Sequence, residues 1–384
     1  MRLRPCLVLL LALWFPAAAQ QAGGVLPRWS PGELDIHHIN TGKGDAIYFI
    51  FPDGTTLLAD AGATARQDRV TPPRPDGSRR PGEWIARYIR RVAPDGAAPQ
   101  LDYLLITHFH DDHLGGLADV AAAIPIGKVL DRGWPDYNWP SPLSGRMMES
   151  YRAILKSKQV ERFQPGRKDQ IVPLKAPRND FEIRNLVANG EIWTGEGVRT
   201  RQLFPPLDRI PRRDWPDENM LSAGFVLRYG KFDYFRAGDI PGVPAAGAPA
   251  WHDVETPVAK VAGPVDVNVC NHHAYQDTQN AALVAALRPR VHIIPVWAPS
   301  HPGALVLARL LSTRLYPGPR DIFATNLMPA TREVIGASLD SLKANHGHIV
   351  VRVAPGGAVY RVMVLDDAAE TWRVLAVHGP YESR

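Results

Sequence analysis

The sequence predicts a single domain that contains both strands and helices, because short apolar runs and amphipathic helical runs occur along most of its 384 residues. Residues 101–107 (LDYLLIT) are few, apolar and bounded by turns, which is typical of a buried strand. Residues 83–93 carry apolar side chains at helical spacing, which predicts an amphipathic helix covering a sheet. The hydrophobic content of 45% is ordinary for a globular protein. There is no internal repeat and no boundary that would divide residues 34–384 into two domains.

The remaining elements follow from the same periodicities and from the turn residues between them. In the first half we predict strands at 34–39, 46–51, 55–59 and 128–131, and helices at 114–123 and 145–158. In the second half we predict a helix at 303–314 and strands at 181–187, 201–204, 223–229, 232–237, 266–270, 291–296, 322–325, 349–353 and 359–365. Residues 63–82 are rich in Arg, Pro and Gly, which indicates a surface loop.

The first 19 residues predict a secretory signal peptide. Two arginines within residues 1–4 precede ten apolar residues at 6–15, and residues 16–19 (PAAA) offer a small-residue cleavage site. Ten apolar residues are too few to cross a bilayer, and no later stretch reaches the length of a membrane span. We therefore expect a secreted or periplasmic protein, cleaved near Ala19, with residues 20–33 as a linker. An uncleaved N-terminal anchor is the alternative.

The charge and cysteine content restrict the function further. Without residues 1–19 the basic side chains fall from 44 to 42 against 39 acidic ones, a net charge of +3. So mild an excess does not indicate binding to nucleic acid. Only one of the two cysteines, Cys270, follows the predicted cleavage site, so the mature chain has no internal disulfide. Cys270 ends an apolar run (VDVNVC), which favours a buried thiol over a nucleophile.

The stretch at residues 107–116 (THFHDDHLGG) concentrates metal-binding side chains at the end of the predicted strand. His108 and His110 are two residues apart, so in an extended segment both imidazoles point to the same side and can bind one cation. Asp112 and His113 come one turn later and can bind a second cation nearby. Two such ions about 3.5–4 Å apart can hold a bridging hydroxide. The alternative is a polar surface loop whose histidines bond to other protein groups.

The run HFHDDH followed by LGG resembles the HxHxDH signature of the metallo-β-lactamase superfamily. This resemblance implies an α/β/β/α fold, in which two mixed β-sheets pack face to face and helices cover their outer faces. Within the superfamily the chain looks most like the hydrolase domain of ComEC-type competence proteins and their secreted stand-alone relatives. On this basis the last three predicted strands would complete the second sheet, and residues 134–216 would form a Pro- and Arg-rich insertion.

Further positions match motifs of this group. Asp60 follows a strand as in the family's D-x-G, and we expect its carboxylate to orient the metal loop through hydrogen bonds; a simple turn residue is the alternative. Asp239 matches the T/A-G-D pattern, and the resemblance implies that it bridges the two metals, unless it is only a turn residue. Residues 271–274 (NHHA) match H-H-G-S, which implies that His272 or His273 binds the second metal and leaves the other histidine free to bond the reacting group.

One departure from the superfamily pattern affects the first metal. No histidine occurs between residues 114 and 237, where many members place a third ligand. Residues 218–222 (ENMLS) resemble the group's E-N-x-x-S pattern. The first metal would then have His108, His110 and Asp239, with water or Asn219 completing its shell. The sequence therefore leaves one or two ions open, and Zn²⁺, Mn²⁺ and Fe²⁺ all suit such ligands.

Other candidates lie outside this ligand set. His301 stands in a Ser-His-Pro sequence before a predicted helix, similar to a family G-H-P, and is a candidate general acid or substrate contact; a helix cap is the alternative. His346 and His348 lie in a Gly turn and are predicted at the surface, with the rim of the site as the alternative. A Pro-rich loop predicts either an aromatic wall for a substrate or a lid packed on its own core, through Trp134, Tyr137 and Trp139.

Together the resemblance and the residues imply a secreted hydrolase that uses a metal-bound hydroxide, with Asp112, Asn219 and His301 assigned to catalysis. We expect phosphoesters, and phosphodiesters in particular, as substrates, because the competence-type relatives are associated with phosphodiester cleavage. Acyl bonds such as a lactone, thioester or β-lactam are the alternative. A metal-stabilised envelope protein that only binds its ligand is a further one. The expected partner is a small-molecule or polymeric ester, and the sequence does not indicate an oligomeric state.

Overall fold

The computed structural model describes residues 21–63, 71–94 and 98–384. Over these ranges the chain forms two β-sheets packed face to face, with helices on the outer faces, which confirms the predicted α+β architecture. The predicted signal peptide and part of the predicted loop at 63–82 lie outside the described residues. Within the described ranges, every helix is too short or too polar to cross a membrane.

Most elements lie within a few residues of their predicted positions. The strands are, in chain order, β1 (Leu34–His38), β2 (Ile47–Ile50), β3 (Thr56–Ala59), β4 (Leu101–Ile106), β5 (Ile126–Asp131), β6 (Gln159–Arg162), β7 (Phe181–Ala188), β8 (Glu191–Trp193), β9 (Thr200–Gln202), β10 (Gly224–Tyr229), β11 (Phe232–Arg236), β12 (Val267–Val269), β13 (Val291–Ile294), β14 (Asp321–Ala324), β15 (His348–Val353), β16 (Val359–Leu365) and β17 (Val374–Glu382). The helices are α1 (Pro81–Val92), α2 (Asp111–Leu114), α3 (Leu117–Ala123), α4 (Arg146–Leu155), α5 (Glu255–Ala262), α6 (Ala281–Leu287), α7 (Ala304–Leu311) and α8 (Pro329–Ile335).

Each sheet is antiparallel on one side and parallel on the other. The first sheet has the order β17-β16-β15-β1-β2-β3-β4-β5-β6, and its strands from β3 to β6 run parallel. The second sheet has the order β14-β13-β12-β11-β10-β7-β8-β9, and its strands from β11 to β14 run parallel. Loops at the carboxyl ends of parallel strands gather at one edge of a sheet, which is where sites are commonly built.

Two expectations about strand membership are wrong. The strands β15 and β16 belong to the first sheet, because β15 pairs antiparallel with β1 and places Leu34 opposite Val353. Residues 134–216 are not only an insertion, since β6 forms the edge of the first sheet and β7 pairs with β10 inside the second. Apolar alternation predicts that a segment is a strand, but it does not predict its partner.

The predicted linker is also attached to the domain where the structure describes it. Gly23 N donates to Val374 O at 2.8 Å, and Leu26 N donates to Trp372 O at 2.9 Å. Val374 begins β17, a strand that the sequence did not predict. Residues 23–26 therefore lie beside the start of β17, whereas Gly32 N donates to Pro52 O at 2.8 Å.

The hydrophobic core is divided by the two faces of each sheet. Leu105 of β4 points between the sheets, whereas Leu104 and Ile106 point outward and are covered by helices. Alternate side chains leave a strand on opposite faces, so a strand buried on both faces is apolar throughout. This explains why β4 reads as a continuous apolar run rather than an alternating one.

The prediction for His348 is also wrong, because this side chain is buried inside the domain. Its Nδ1 accepts a hydrogen bond from Asn40 N at 3.0 Å, and its ring lies 4.6 Å from that of Tyr88. Burial lowers the pKa of His348 to about 3. A neutral imidazole can accept this bond, so His348 is a core residue, whereas His346 is exposed as predicted.

Candidate metal centre

The metal-binding stretch leaves the carboxyl end of β4 and is held by Asp60, which follows β3. Thr107 N donates to Asp60 Oδ1 at 2.8 Å, and Thr107 Oγ1 donates to Asp60 Oδ2 at 2.8 Å. His113 Nδ1 donates to Asp60 Oδ2 at 2.8 Å as well. Asp60 therefore lies where a residue that orients the metal loop is expected, and its bond to Nδ1 leaves His113 Nε2 for the cluster described next.

Four side chains from separate segments form a compact cluster. Their ligand atoms all lie within 4.8 Å of one another, in Asp112, His113, Asp239 and His273. His113 Nε2 lies 3.1 Å from Asp239 Oδ2, and His273 Nε2 lies 3.0 Å from Asp112 Oδ2. Two imidazole nitrogens and two carboxylates form a donor set that suits Zn²⁺, Mn²⁺ or Fe²⁺. The residues present therefore fit a divalent cation.

His108 and His110 lie beside this cluster and extend it. His108 Nε2 is 3.2 Å from His110 Nδ1 and 3.7 Å from Asp239 Oδ2. His108 is buried, whereas His110 is exposed. A second cation position next to Asp239 would thus be bounded by two imidazoles and would be open to solvent on the side of His110.

The structure distinguishes the two neighbouring histidines after β12. His272, His273 and Ala274 have φ values of 46°, 54° and 62°, a run of left-handed residues that is costly without glycine. The run turns His273 into the four-residue cluster. His272 lies outside it, with Nδ1 donating to Asp277 Oδ1 at 2.9 Å and Nε2 lying 3.3 Å from Asn219 Nδ2. Only His273 is therefore placed as a ligand of the cluster.

The electrostatics of the cluster are those of a cation site. Burial disfavours charge on His113, but Asp239, Asp112 and Asp60 raise its pKa well above the ordinary value. The same environment raises the pKa of His273 to about 10. Burial opposes ionisation of Asp239 too, yet His113 and His273 hold its pKa well below the usual range. The carboxylates thus demand positive charge, which protons supply on the imidazoles and a metal ion can supply instead.

A buried arginine that the sequence analysis missed supports Asp60 from below. Arg236, at the end of β11, donates through Nη1 to Asp45 Oδ2 at 2.6 Å and through Nη2 to Asp60 Oδ2. Its side chain is only 2% exposed, and the carboxylates are buried as well. Because Asp60 in turn binds His113, Arg236 is two hydrogen bonds from the cluster. The only sequence signal was its place three residues before Asp239, at the end of a predicted strand.

Glu218, the first residue of the E-N-x-x-S match, holds the metal loop from its other side together with Arg132, which the sequence analysis missed. Glu218 Oε1 accepts a hydrogen bond from Phe109 N at 2.8 Å, between the two histidines of the HxH pair. Arg132 Nε donates to the same oxygen at 2.7 Å, and the Arg132 guanidinium lies 4.8 Å from the centre of the Phe109 ring. Nothing in the sequence singled out Arg132, which directly follows β5.

Asn219 and His301, both predicted catalytic residues, lie at the border of the cluster. Asn219 reaches His272, as described above, and not a carboxylate of the cluster. The His301 ring stacks on the His273 ring with centres 5.0 Å apart and planes at 22°. Burial and the positive charge of His273 lower the pKa of His301 well below its usual value. His301 therefore lies near the candidate metals without a hydrogen bond to the ligands that the structure describes.

The helix predicted at 114–123 is divided in two, which changes what lies behind the site. The single turn α2 carries Asp112 and His113, and the longer helix α3 begins only at Leu117. Asp112 O accepts from Asp45 N at 2.8 Å and Gly116 N donates to Gly62 O at 3.2 Å, so neither backbone group continues the helix. The metal loop therefore includes its own short turn.

The model of the metallo-β-lactamase superfamily matches residues 41–204. No curated protein matches the sequence. Among solved structures, a mutant of the CmlA β-hydroxylase shares 14% identity at a TM-score of 0.41, over 85% of this chain and 55% of that one, little more than half of its length.

Two further solved structures have lower TM-scores. A protein of Parabacteroides distasonis assigned as a metal-dependent hydrolase shares 15% identity at a TM-score of 0.38, over 79% of this chain and 98% of that one. The metallo hydrolase Igni18 of the hyperthermophilic archaeon Ignicoccus hospitalis shares 10% identity at a TM-score of 0.34, over 83% of this chain and 98% of that one. Similarities of this extent carry no information about substrate.

The two-sheet fold and the His/Asp cluster at its strand ends define the class of this protein as a metal-dependent hydrolase. The family match adds a closer assignment for part of the chain: residues 41–204, which include the HxHxDH stretch, match the metallo-β-lactamase superfamily. The predicted resemblance to that superfamily is thereby confirmed.

Proposed function

We propose that this protein hydrolyses phosphoester bonds, and phosphodiesters in particular, with one or two divalent cations bound at the cluster. The observation that carries the proposal is the convergence of Asp112, His113, Asp239 and His273, with the HxH pair directly beside them. Bound cations of this kind lower the pKa of a coordinated water and neutralise charge that develops on the substrate. Zn²⁺ is our first choice, with Mn²⁺ and Fe²⁺ as alternatives.

The protein's own residues have separate tasks in this proposal. Asp239 Oδ2 lies 3.1 Å from His113 Nε2 and 3.7 Å from His108 Nε2. Asp239 would therefore be the ligand that two cations share, because a carboxylate has two oxygens. Asp60 accepts from His113 Nδ1, which presents Nε2 to the cation. The leaving group then needs a proton. His272 is better placed than the buried His301 to donate it, since the His272 side chain is 20% exposed and its Nδ1 is held by Asp277.

The preference for phosphodiesters rests on two supports. Two adjacent cation positions can contact both the attacking and the leaving oxygen of an in-line displacement at phosphorus. The ligand motifs are also similar to those of ComEC-type hydrolase domains, as is the lack of a histidine between residues 114 and 237. We further propose that the protein works outside the cytoplasm, on the composition of residues 1–19.

The test is turnover of bis(4-nitrophenyl) phosphate by the purified protein. We expect hydrolysis that is lost on treatment with a chelator, restored by one of the three metals, and reduced at least about 100-fold in Asp112→Ala. Asp340→Ala removes an exposed carboxylate paired with Arg332 and serves as the matched control. Turnover of a lactone, thioester or β-lactam without diester turnover would contradict the phosphoester assignment. Metal binding without turnover of any of these substrates would contradict the proposal that the protein is an enzyme.

A further inference from the structure

A cavity of about 320 Å³ opens beside the metal loop, at the edge where the two sheets meet. Its wall includes Trp134 and Trp139 from the loop after β5, Arg162 at the end of β6, and Gln202 at the end of β9. Trp139 is 36% exposed, whereas Tyr137 of the same loop is buried. The predicted aromatic loop thus divides its roles: Tyr137 packs inside, and the two tryptophans line the cavity.

The cavity is linked to the metal loop through its back wall. Arg132 lines the cavity, and its guanidinium donates to the Glu218 carboxylate that also holds Phe109 N. Phe109 lies between His108 and His110. The Arg132–Glu218 pair therefore connects the wall of the cavity to the loop that carries the predicted metal ligands.

The polar groups of the wall indicate what the cavity can bind. Its amides are already used, because Asn189 Nδ2 donates to Arg132 O at 2.7 Å and Gln202 Nε2 donates to Asn189 O at 3.2 Å. Asp136, an exposed residue at the rim, accepts from Asn138 N at 3.0 Å. Among the described residues, the Arg162 guanidinium and the indole N–H groups of the two tryptophans have no hydrogen-bond partner. The groups of the wall that are free to bind a ligand are therefore hydrogen-bond donors, and two of them belong to its aromatic rings.

Arg162 has a further distinction in that it also lines a larger, open cavity of about 910 Å³. The other basic side chains of that cavity are paired: Arg167 with Asp169 at 2.7 Å, Lys168 with Glu182 at 3.0 Å, and Arg184 with Glu182 at 3.3 Å. Arg162 is thus the basic group at the junction of both cavities that no carboxylate neutralises within the described chain. An uncompensated guanidinium binds an oxyanion through charge-assisted hydrogen bonds.

We propose that the smaller cavity is a substrate subsite for a ring that bears an oxyanion, either a phosphate or a carboxylate. The tryptophan rings contact the ring of the ligand, and Arg162 binds its anionic group. This inference rests on the proposed function for its role in catalysis, because the subsite would hold the part of a diester that extends away from the metal centre. As a binding site it stands independently of turnover.

The kinetic test compares two diesters that differ in one group. One is bis(4-nitrophenyl) phosphate, and in the other a 4-carboxyphenyl ring replaces one nitrophenyl ring. We expect the native protein to prefer the carboxylated diester about tenfold in kcat/KM, and the preference to fall to near one in Arg162→Ala and to return partly in Arg162→Lys. Arg314→Ala is the matched control. This exposed arginine lies between α7 and β14, and β14 and β9 form opposite edges of the second sheet. An equal preference in Arg162→Ala and the native protein would overturn the proposal.

A binding test separates this proposal from the proposed function. Phenyl phosphate and benzoate are titrated by ligand-observed NMR into protein stripped of metal with a chelator. We expect binding that weakens about tenfold in Arg162→Ala and in Trp139→Ala but not in Arg314→Ala, and the tighter of the two probes identifies the oxyanion. Such binding without diester turnover would refute the phosphodiester assignment and leave the subsite intact. No binding of either probe, or equal binding by Arg162→Ala with an unchanged melting temperature, would refute the subsite.

Discussion

Replacing Arg236 by methionine removes the positive charge beneath the metal loop and tests how the loop is held. The side chain is 2% exposed and lies between the carboxylates of Asp45 and Asp60. Methionine fills much of the volume but removes the guanidinium that both buried carboxylates contact, so Asp60 keeps only His113 as an ion-pair partner and Asp45 loses its ion pair. Breaking a buried ion pair by removing one partner costs about 3–5 kcal/mol, because the remaining charge stays desolvated.

This cost can be converted into a melting temperature. Unfolding entropies of about 2.1 cal/mol/K per residue give about 0.8 kcal/mol/K for a chain of 384 residues. A loss of about 3–5 kcal/mol therefore lowers the melting temperature by about 4–6 °C, measured by circular dichroism in the presence of chelator. Metal affinity provides a second measurement. Since Asp60 orients His113, Arg236→Met is expected to weaken metal binding about 10–100-fold.

Two further variants make the result decisive. Arg228→Met, on the neighbouring strand, removes an arginine that is 37% exposed and lies 3.3 Å from Asp233, and an exposed pair of this kind contributes less than about 1 kcal/mol. Asp45→Asn combined with Arg236→Met should recover part of the loss, because it removes the buried charge that lost its ion pair. If Arg236→Met has the melting temperature and the metal affinity of the native protein, the buried carboxylates do not depend on this arginine and the reasoning is wrong.

Three other predictions follow from the same structure. Asp239→Asn is expected to weaken metal binding at least about 100-fold, since even outer residues of a metal site contribute about 10–100-fold; unchanged metal content after dialysis would contradict its place as a shared ligand. Burial raises the pKa of Glu255 from 4.5 to about 8, so the folded state keeps a proton that the unfolded state releases. Stability should therefore fall as pH rises between those values, and Glu255→Gln should flatten the dependence of the urea midpoint on pH. Gly116→Ala is expected to cost about 1–3 kcal/mol, because its Cβ would lie 2.3 Å from Ala61 O, whereas Gly77→Ala, with 3.6 Å to its nearest neighbour, should unfold at the native urea concentration.

Local patterns were sufficient for most elements of the fold and for one half of the site. The run at 101–107 is the strand β4, and the helix at 83–93 is α1, because burial imposes a period that the side chains display. The HxHxDH stretch was visible because four predicted ligands are close together in the chain. The break between α2 and α3 was missed, although Gly115 and Gly116 weaken a helix locally, because the backbone groups of Asp112 and Gly116 bond to a distant part of the chain.

Pairings between distant segments were beyond local patterns. The apolar runs of β15 and β16 would suit either sheet, and only the contact of β15 with β1 assigns them to the first. Arg132 and Arg236 look like ordinary charged residues in the sequence. Their importance comes from burial next to carboxylates that are far away in the chain, and desolvation is a property of the assembled protein.

By itself, the sequence determined the residue types of the metal site and the apolar segments that build the two sheets, because both are expressed over a few neighbouring residues. Tertiary structure decided which of His272 and His273 joins the cluster, since only the left-handed turn after β12 directs one imidazole inward and the other towards Asp277. It also decided the charge state of the cluster. A pKa depends on the distances to all surrounding charges and on exclusion of water, and neither exists until the strands have met.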